Sequence, residues 1–151
     1  QTATGEPRLI VRWTRDALYL GARVGECGPA TRLELGLLPA LELSTIQSGR
    51  FFVSVGEGGL ESARYIVNSR EQPWSCDWQV AMTLLNGEAR VELRIPLESL
   101  VESARIEAGK RWRMNARMTT SATDGSRSTV VEWGAGEHEA LEHGALLVFE
   151  R

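Results

Sequence analysis

Short runs in which apolar and polar side chains alternate recur along the whole chain. "PRLIVRW", "DALYLGARV", "TRLELGL", "RFFVSV", "ARYIVN", "DWQVAMTLL", "EARVELRI", "KRWRMNARM", "STVVEW" and "GALLVFE" are each of strand length, and Gly, Pro, Asn, Asp and Ser clusters separate them. A period of two sends successive side chains to opposite faces, so each such run presents one face to a core and the other to water. Many short strands punctuated in this way predict an all-β fold, an antiparallel two-sheet β-sandwich of immunoglobulin-like or jelly-roll-like kind. After Pro96, "LESLVESA" puts Leu97, Leu100 and Val101 at helical spacing, which predicts one short helical turn plugging an end of the sandwich. No internal repeat or low-complexity linker interrupts the pattern, so residues 1–151 read as a single domain.

Asn86-Gly87 predicts a two-residue type I′ hairpin, because both turn positions need positive φ. Pairing outward from that turn sets Met82 against Val91, Val80 against Leu93 and Trp78 against Ile95. On the opposite face, Thr83, Ala81 and Gln79 meet Arg90, Glu92 and Arg94. A slip of one residue would turn the apolar set into water, so turn chemistry and pattern agree.

"GKRWRMNARM" raises the question of function. Alternation sends Trp112, Met114, Ala116 and Met118 to the core and leaves Arg111, Arg113, Asn115 and Arg117 on the polar side. Three guanidiniums and an amide form a cluster of directional donors beyond what a solvated face requires. The neighbouring run "TVVEW" can meet this strand in two registers. A two-residue turn at Asp124-Gly125 would set Arg117 against Glu132 and bury Trp133 opposite Ala116. A loop longer or bulged by one residue would bring Trp133 beside Asn115 and Arg117 as a stacking platform. The polar run "TTSATDGSRST" has room for the bulged loop, and the platform is the arrangement expected here.

Composition narrows the function classes. Of the 151 residues, 42% are hydrophobic and 25% charged, the balance of an ordinary globular domain. No apolar run approaches the roughly 20 residues of a membrane-spanning helix. The net charge of −3 argues against a general nucleic-acid binder, which needs a basic field. Cys27 and Cys76 sit in the Gly- and Pro-punctuated stretches "GECGPA" and "PWSCDW", so both are expected in loops; a disulfide and two isolated thiols are equally compatible with their spacing. The chain opens at Gln1 without methionine, which reads as a mature, excised or truncated piece of a larger protein.

Motifs for catalysis or metal binding are weak. His138 and His143 lie among Glu137, Glu139 and Glu142, but a spacing of five puts them on different helical faces, so a solvated acidic connection is expected. "GEGG" at 56–59 lacks the Lys-Ser/Thr of a phosphate loop and reads as a turn. Neither a nucleophile elbow nor a cysteine in a catalytic context is present, so no enzyme is expected. The five tryptophans say more. Trp74 follows Pro73 in the polar connection "SREQPWSC", where its indole either forms an exposed platform or folds over the sandwich edge. Aromatic faces beside arginine and amide donors suit a sugar, whose C–H face stacks while its hydroxyls take fork-shaped hydrogen bonds.

The ordered set "DALYLGARV", "TRLELGL", "RFFVSV", "WQVAMTL", "ARVELRIPLESL", "WRMNARM", "TVVEW" and "HGALLVFE" resembles the carbohydrate-binding modules of family nine and their relatives. The resemblance spans nearly the whole chain. It is most specific at "ELRIPL" and "WRMNAR", which are similar to the family's E-x-x-I-P-L and W-R-x-N patterns. It implies a non-catalytic sandwich that grips a sugar-chain end, often between two tryptophans. Trp133 then corresponds to a stacking tryptophan, Asn115 and Arg117 to polar residues of the binding face, Arg127 to an arginine after a hairpin tip, and Glu34 to the glutamate of a D-S-V-E strand. The family's other stacking tryptophan has no counterpart in "GECGPATRLE", and Phe52 stands where an arginine is common.

The expectation that follows is a secreted, periplasmic or cell-surface sugar-binding module, joined to a catalytic or surface domain and binding carbohydrate through Trp133, Asn115, Arg117, Arg127, Glu34 and Trp74. No cofactor is expected, and structural calcium is left open. One alternative is a structural or interaction module of the same fold that binds no sugar. Another is a haem-binding relative using Met114 or Met118, although alternation assigns both methionines to packing.

Overall fold

The computed structural model describes residues 6–39, 49–100, 111–121, 128–134 and 145–148. Among them, strands β1 (Arg8–Trp13), β2 (Ala17–Val24), β8 (Glu88–Pro96) and β7 (Gln79–Leu85) form a four-stranded sheet in the order β1-β2-β8-β7. The second sheet runs β10 (Ser128–Trp133), β9 (Arg111–Ser121), β3 (Arg32–Leu38), β4 (Arg50–Gly56), β5 (Gly59–Val67) and β6 (Arg70–Gln72). Its seventh strand, β11 (Ala145–Val148), pairs with the first residues of β9. Every pairing is antiparallel. The result is the two-sheet β-sandwich that the alternation predicts, and all ten anticipated runs carry a strand. Strand β6, "REQ", is additional; it is three exposed residues with no apolar alternation to announce it.

The β7–β8 hairpin has the expected register, with Met82 opposite Val91 and Val80 opposite Leu93. Asn86 and Gly87 take φ of 53° and 75°, the double positive φ of a type I′ turn. One apolar core fills the space between the sheets: Leu18, Leu20, Val91 and Ile95 of the smaller sheet pack with Leu33, Leu35, Trp112 and Met118 of the larger. Each aliphatic side chain so enclosed contributes about 1.5–3 kcal/mol. Met114 and Met118 are buried there too, as alternation requires.

Where a helical turn is expected, residues Leu97–Ser99 form a single 3-10 turn, and Leu97 and Leu100 enter the core. Ser99 organises this end. Its hydroxyl donates to the Pro96 carbonyl at 2.6 Å and accepts from Trp78 Nε1 at 2.8 Å, while its carbonyl accepts from Trp74 Nε1 at 3.1 Å.

A further polar contact secures the β2–β3 connection. The buried Thr31 hydroxyl donates to the Gly28 carbonyl at 2.7 Å and lies 2.9 Å from the Thr120 hydroxyl, which accepts from the Gly28 N–H at 3.1 Å. This network holds the loop carrying Cys27 against β9, and the Cys27 N–H reaches the Gly87 carbonyl at 2.7 Å. Both cysteines lie outside the strands, as their contexts predict. They are free thiols and form no bridge. Burial, assisted by the nearby Asp77 charge, raises the Cys76 thiol above its ordinary value.

Candidate functional site

Strand β9 divides its side chains as predicted: Trp112, Met114, Ala116 and Met118 are buried in the core, and Arg113, Asn115 and Arg117 lie on the outer face of the seven-stranded sheet. Pairing extends that face into cross-strand rows. One row runs Glu132–Arg117–Glu34–Ser54–Ser62 across five strands. The adjacent row runs Asn115–Gly36–Phe52–Arg64.

Glu34 and Arg117 are therefore brought together by backbone register. Arg117 donates to Glu34 Oε2 from Nη2 at 2.8 Å and from Nε at 3.1 Å, and its Nη1 lies 3.9 Å from Glu132 Oε1. Glu34 thus holds the guanidinium by two hydrogen bonds, and Glu132 adds only a longer electrostatic contact. The Arg117 and Glu34 side chains remain 36% and 29% exposed, enough for both to meet a ligand. Charge-assisted bonds of this kind are short and orienting, so the donors sit in a fixed plane before anything binds.

Asn115 is on the same face, but it is buried. Its Oδ1 lies so close to Gly134 that a Cβ at that glycine would collide with it, and Gly134 holds φ at +118°. The carboxamide thereby supports the end of β10. Phe52 is buried on this outer face with Leu38, while Ile66 packs against the pair, and the Arg64 guanidinium lies 5.8 Å from the Phe52 ring centroid. This second apolar cluster went unanticipated, although "FF" at 51–52 carries the signal: adjacent strand residues face opposite ways, so both sides of β4 must accept a ring.

The platform arrangement of Trp133 is not adopted. Strand β10 has the register of a two-residue turn, with Glu132 opposite Arg117 and Trp133 opposite Ala116. Trp133 consequently points to the core side, where it is partly buried against the main core. The physical reason is complementarity: Ala116 leaves room for an indole, and the alternative register would send Val131 outward and Glu132 inward. Trp74 likewise folds over the sandwich edge. It packs against Phe51 and Trp78 with ring centroids 5.0 and 5.5 Å away, on the core side and not beside Asn115. Arg127, the Asp124-Gly125 turn and the histidine segment at 138–143 lie outside the described residues.

Among the described residues, no cluster of three His, Cys, Asp or Glu side chains is arranged to hold a metal, and no helix is long and apolar enough to cross a membrane. No family model and no curated protein sequence matches the chain. Solved structures do. A candidate carbohydrate-binding protein from Bacteroides uniformis superposes with a TM-score of 0.64 at 12% identity, over 95% of this chain and 79% of that one. A family 9 carbohydrate-binding module from Caldicellulosiruptor kristjanssonii in complex with glucose gives 0.59 at 14% identity, over 94% and 73% of the respective chains. A structure of such a module from the same organism in complex with cellotriose gives 0.62 at 13%, over 98% and 77%. The fold of this chain is thus the β-sandwich seen in family 9 modules.

Proposed function

We propose that the chain is a non-catalytic carbohydrate-binding module whose sugar rests on the outer face of the seven-stranded sheet, over Arg117, Glu34 and Glu132. The Arg117 guanidinium, hydrogen-bonded to Glu34 and with the Glu132 carboxylate nearby, carries this reading. It offers fixed donors beside fixed acceptors, the pairing that vicinal sugar hydroxyls satisfy, since each hydroxyl both donates and accepts. Asn115 acts from below by shaping the β10 end, and Arg127, on the family resemblance, is a further ligand contact. The fold likeness to modules holding glucose and cellotriose supports a neutral glucan as ligand. With Trp133 and Trp74 turned to the core side, recognition rests on polar contacts, not on a two-tryptophan clamp. Such a module acts outside the cell or at its surface, attached to a catalytic or surface domain.

The inward tryptophans also favour a second reading, a structural module that packs on a neighbouring domain. Calorimetric titration with glucose and cellotriose separates the two. Saturable cellotriose binding is expected, and Arg117→Lys, which keeps the charge but loses the fork, weakens it about tenfold. Absence of heat or saturation with neutral oligosaccharides in the folded wild type leaves the structural reading.

A further inference from the structure

We propose that the outer face of the four-stranded sheet is a second binding surface, for a linear acidic polysaccharide of the polyuronate class. The observation is a pattern of like charge. Register sets Arg8, Arg23 and Arg90 side by side on β1, β2 and β8, and four residues further along the strands it sets Arg12, Tyr19 and Arg94 in a parallel row. Like charges directly opposite one another destabilise a sheet, so such a row costs stability unless something anionic lies on it. The outward positions of these four strands hold five arginines, Arg8, Arg12, Arg23, Arg90 and Arg94, against two glutamates, Glu88 and Glu92.

Compensation within the protein is partial. Glu88 reaches Arg90 at 2.6 Å and Arg23 at 3.4 Å, and Arg94 lies over the Tyr19 ring at 6.0 Å from its centroid. Arg8 and Arg12 are exposed and have no acidic partner among the described residues. Between the two rows Gly21 leaves a gap flanked by Ile10 and Glu92, and a Cβ at Gly21 would meet nothing within 4 Å.

Geometry selects the occupant. Neighbouring strands lie about 4.8 Å apart, close to the length of one sugar unit in an extended 1,4-linked chain. Successive carboxylates of such a chain point to alternate sides, so a polyuronate lying across the strands between the two rows presents carboxylates to Arg8, Arg23 and Arg90 on one side and to Arg12 and Arg94 on the other. The half-exposed Tyr19 ring offers a stacking face, and Glu88 and Glu92 accept from hydroxyls. A single-stranded DNA fits less well, because its deoxyribose-phosphate backbone has no ring hydroxyls to donate to those two carboxylates.

The test titrates the intact protein with oligogalacturonate, its fully methyl-esterified form, a single-stranded DNA oligonucleotide and cellotriose. Oligogalacturonate is expected to bind, to weaken as salt rises from about 50 to 200 mM, and to lose about tenfold or more in Arg12→Gln/Arg94→Gln. The esterified form is expected to bind far less, and cellotriose affinity to be the same in wild type and double variant. An unchanged melting temperature in the double variant excludes misfolding as the cause of the loss. The proposal is overturned by absence of oligogalacturonate binding at low salt, by binding that Arg117→Lys abolishes and Arg12→Gln/Arg94→Gln spares, or by equal binding of the DNA. Loss of cellotriose binding alone would remove the neutral-sugar reading and leave this one standing.

Discussion

Arg117 and Glu34 face each other across β9 and β3, two guanidinium nitrogens converging on the single carboxylate oxygen Oε2 at 2.8 and 3.1 Å. Both side chains are about a third exposed, so solvent screens much of their attraction. Glu34→Gln is therefore expected to cost only about 1 kcal/mol of stability while weakening cellotriose binding, since Arg117 loses the anchor that fixes its plane. Urea unfolding and calorimetry on the same variant check the two effects together. A large stability loss with unchanged affinity would mark the pair as structural.

Trp133 and Trp74 lie on the core side, and truncating either is expected to cost stability before it costs sugar binding. Trp74→Ala removes an indole that packs on Phe51 and Trp78 and bonds to Ser99, for a loss of about 3 kcal/mol. Trp133, partly buried at the edge strand, is expected to cost about 2 kcal/mol as Trp133→Ala. Guanidinium unfolding gives both values. Abolished binding in a stably folded Trp133→Ala would restore the stacking platform.

The difference between these tryptophans and the rest of the sheet explains what the chain discloses by itself. Alternation places Met114, Met118 and Trp112 correctly because a whole strand votes on its face, and Asn86-Gly87 sets a register because only one turn type suits both residues. For Trp133 both aids are weaker, because its strand is short and the Asp124-Gly125 pair sits within a longer polar run. Its face follows from one residue of loop length, and a polar run cannot encode that as firmly as a pair of turn residues does. The Glu34–Arg117 contact is a different case. Both residues are recognisable as polar positions on their strands, yet their meeting depends on β3 lying next to β9, a long-range pairing between residues 83 apart. Phe52 shows the remaining gap, since two-sided burial of β4 leaves no alternation to read.

Gly134 is expected to be among the least replaceable residues near the candidate site. Its φ of +118° is a conformation that L side chains avoid, and a Cβ would run into Asn115 Oδ1. Gly134→Ala should lose about 1–3 kcal/mol from backbone strain, with further loss as Asn115 is displaced. Gly58→Ala, in a turn where a Cβ meets nothing within 4 Å, serves as the control and should be near neutral. Differential scanning calorimetry of the two variants checks the contrast.

The acid sensitivity of the arginine row follows from Glu88. The hydrogen bond from Arg90 is the main cause that holds its carboxyl below the ordinary carboxylate range, and the charges of Arg23 and Arg90 add to it against a smaller opposing effect of burial. A folded-state pKa below the unfolded one means that Glu88 stabilises the protein at pH above the unfolded value, about 4.3. That contribution is lost as pH falls through the lower folded value. Wild type should therefore exceed Glu88→Gln in stability at neutral pH, and the two should converge in acid, where the Arg8–Arg23–Arg90 row stands uncompensated in both. In an Arg23→Gln background the neutral-pH difference should shrink yet persist, because the Arg90 hydrogen bond ranks first among the causes. Urea unfolding of the four proteins at pH 7 and again below the carboxylate range reads this directly. A wild-type advantage that stays constant across the pH range would show that Glu88 acts through packing and not through its charge.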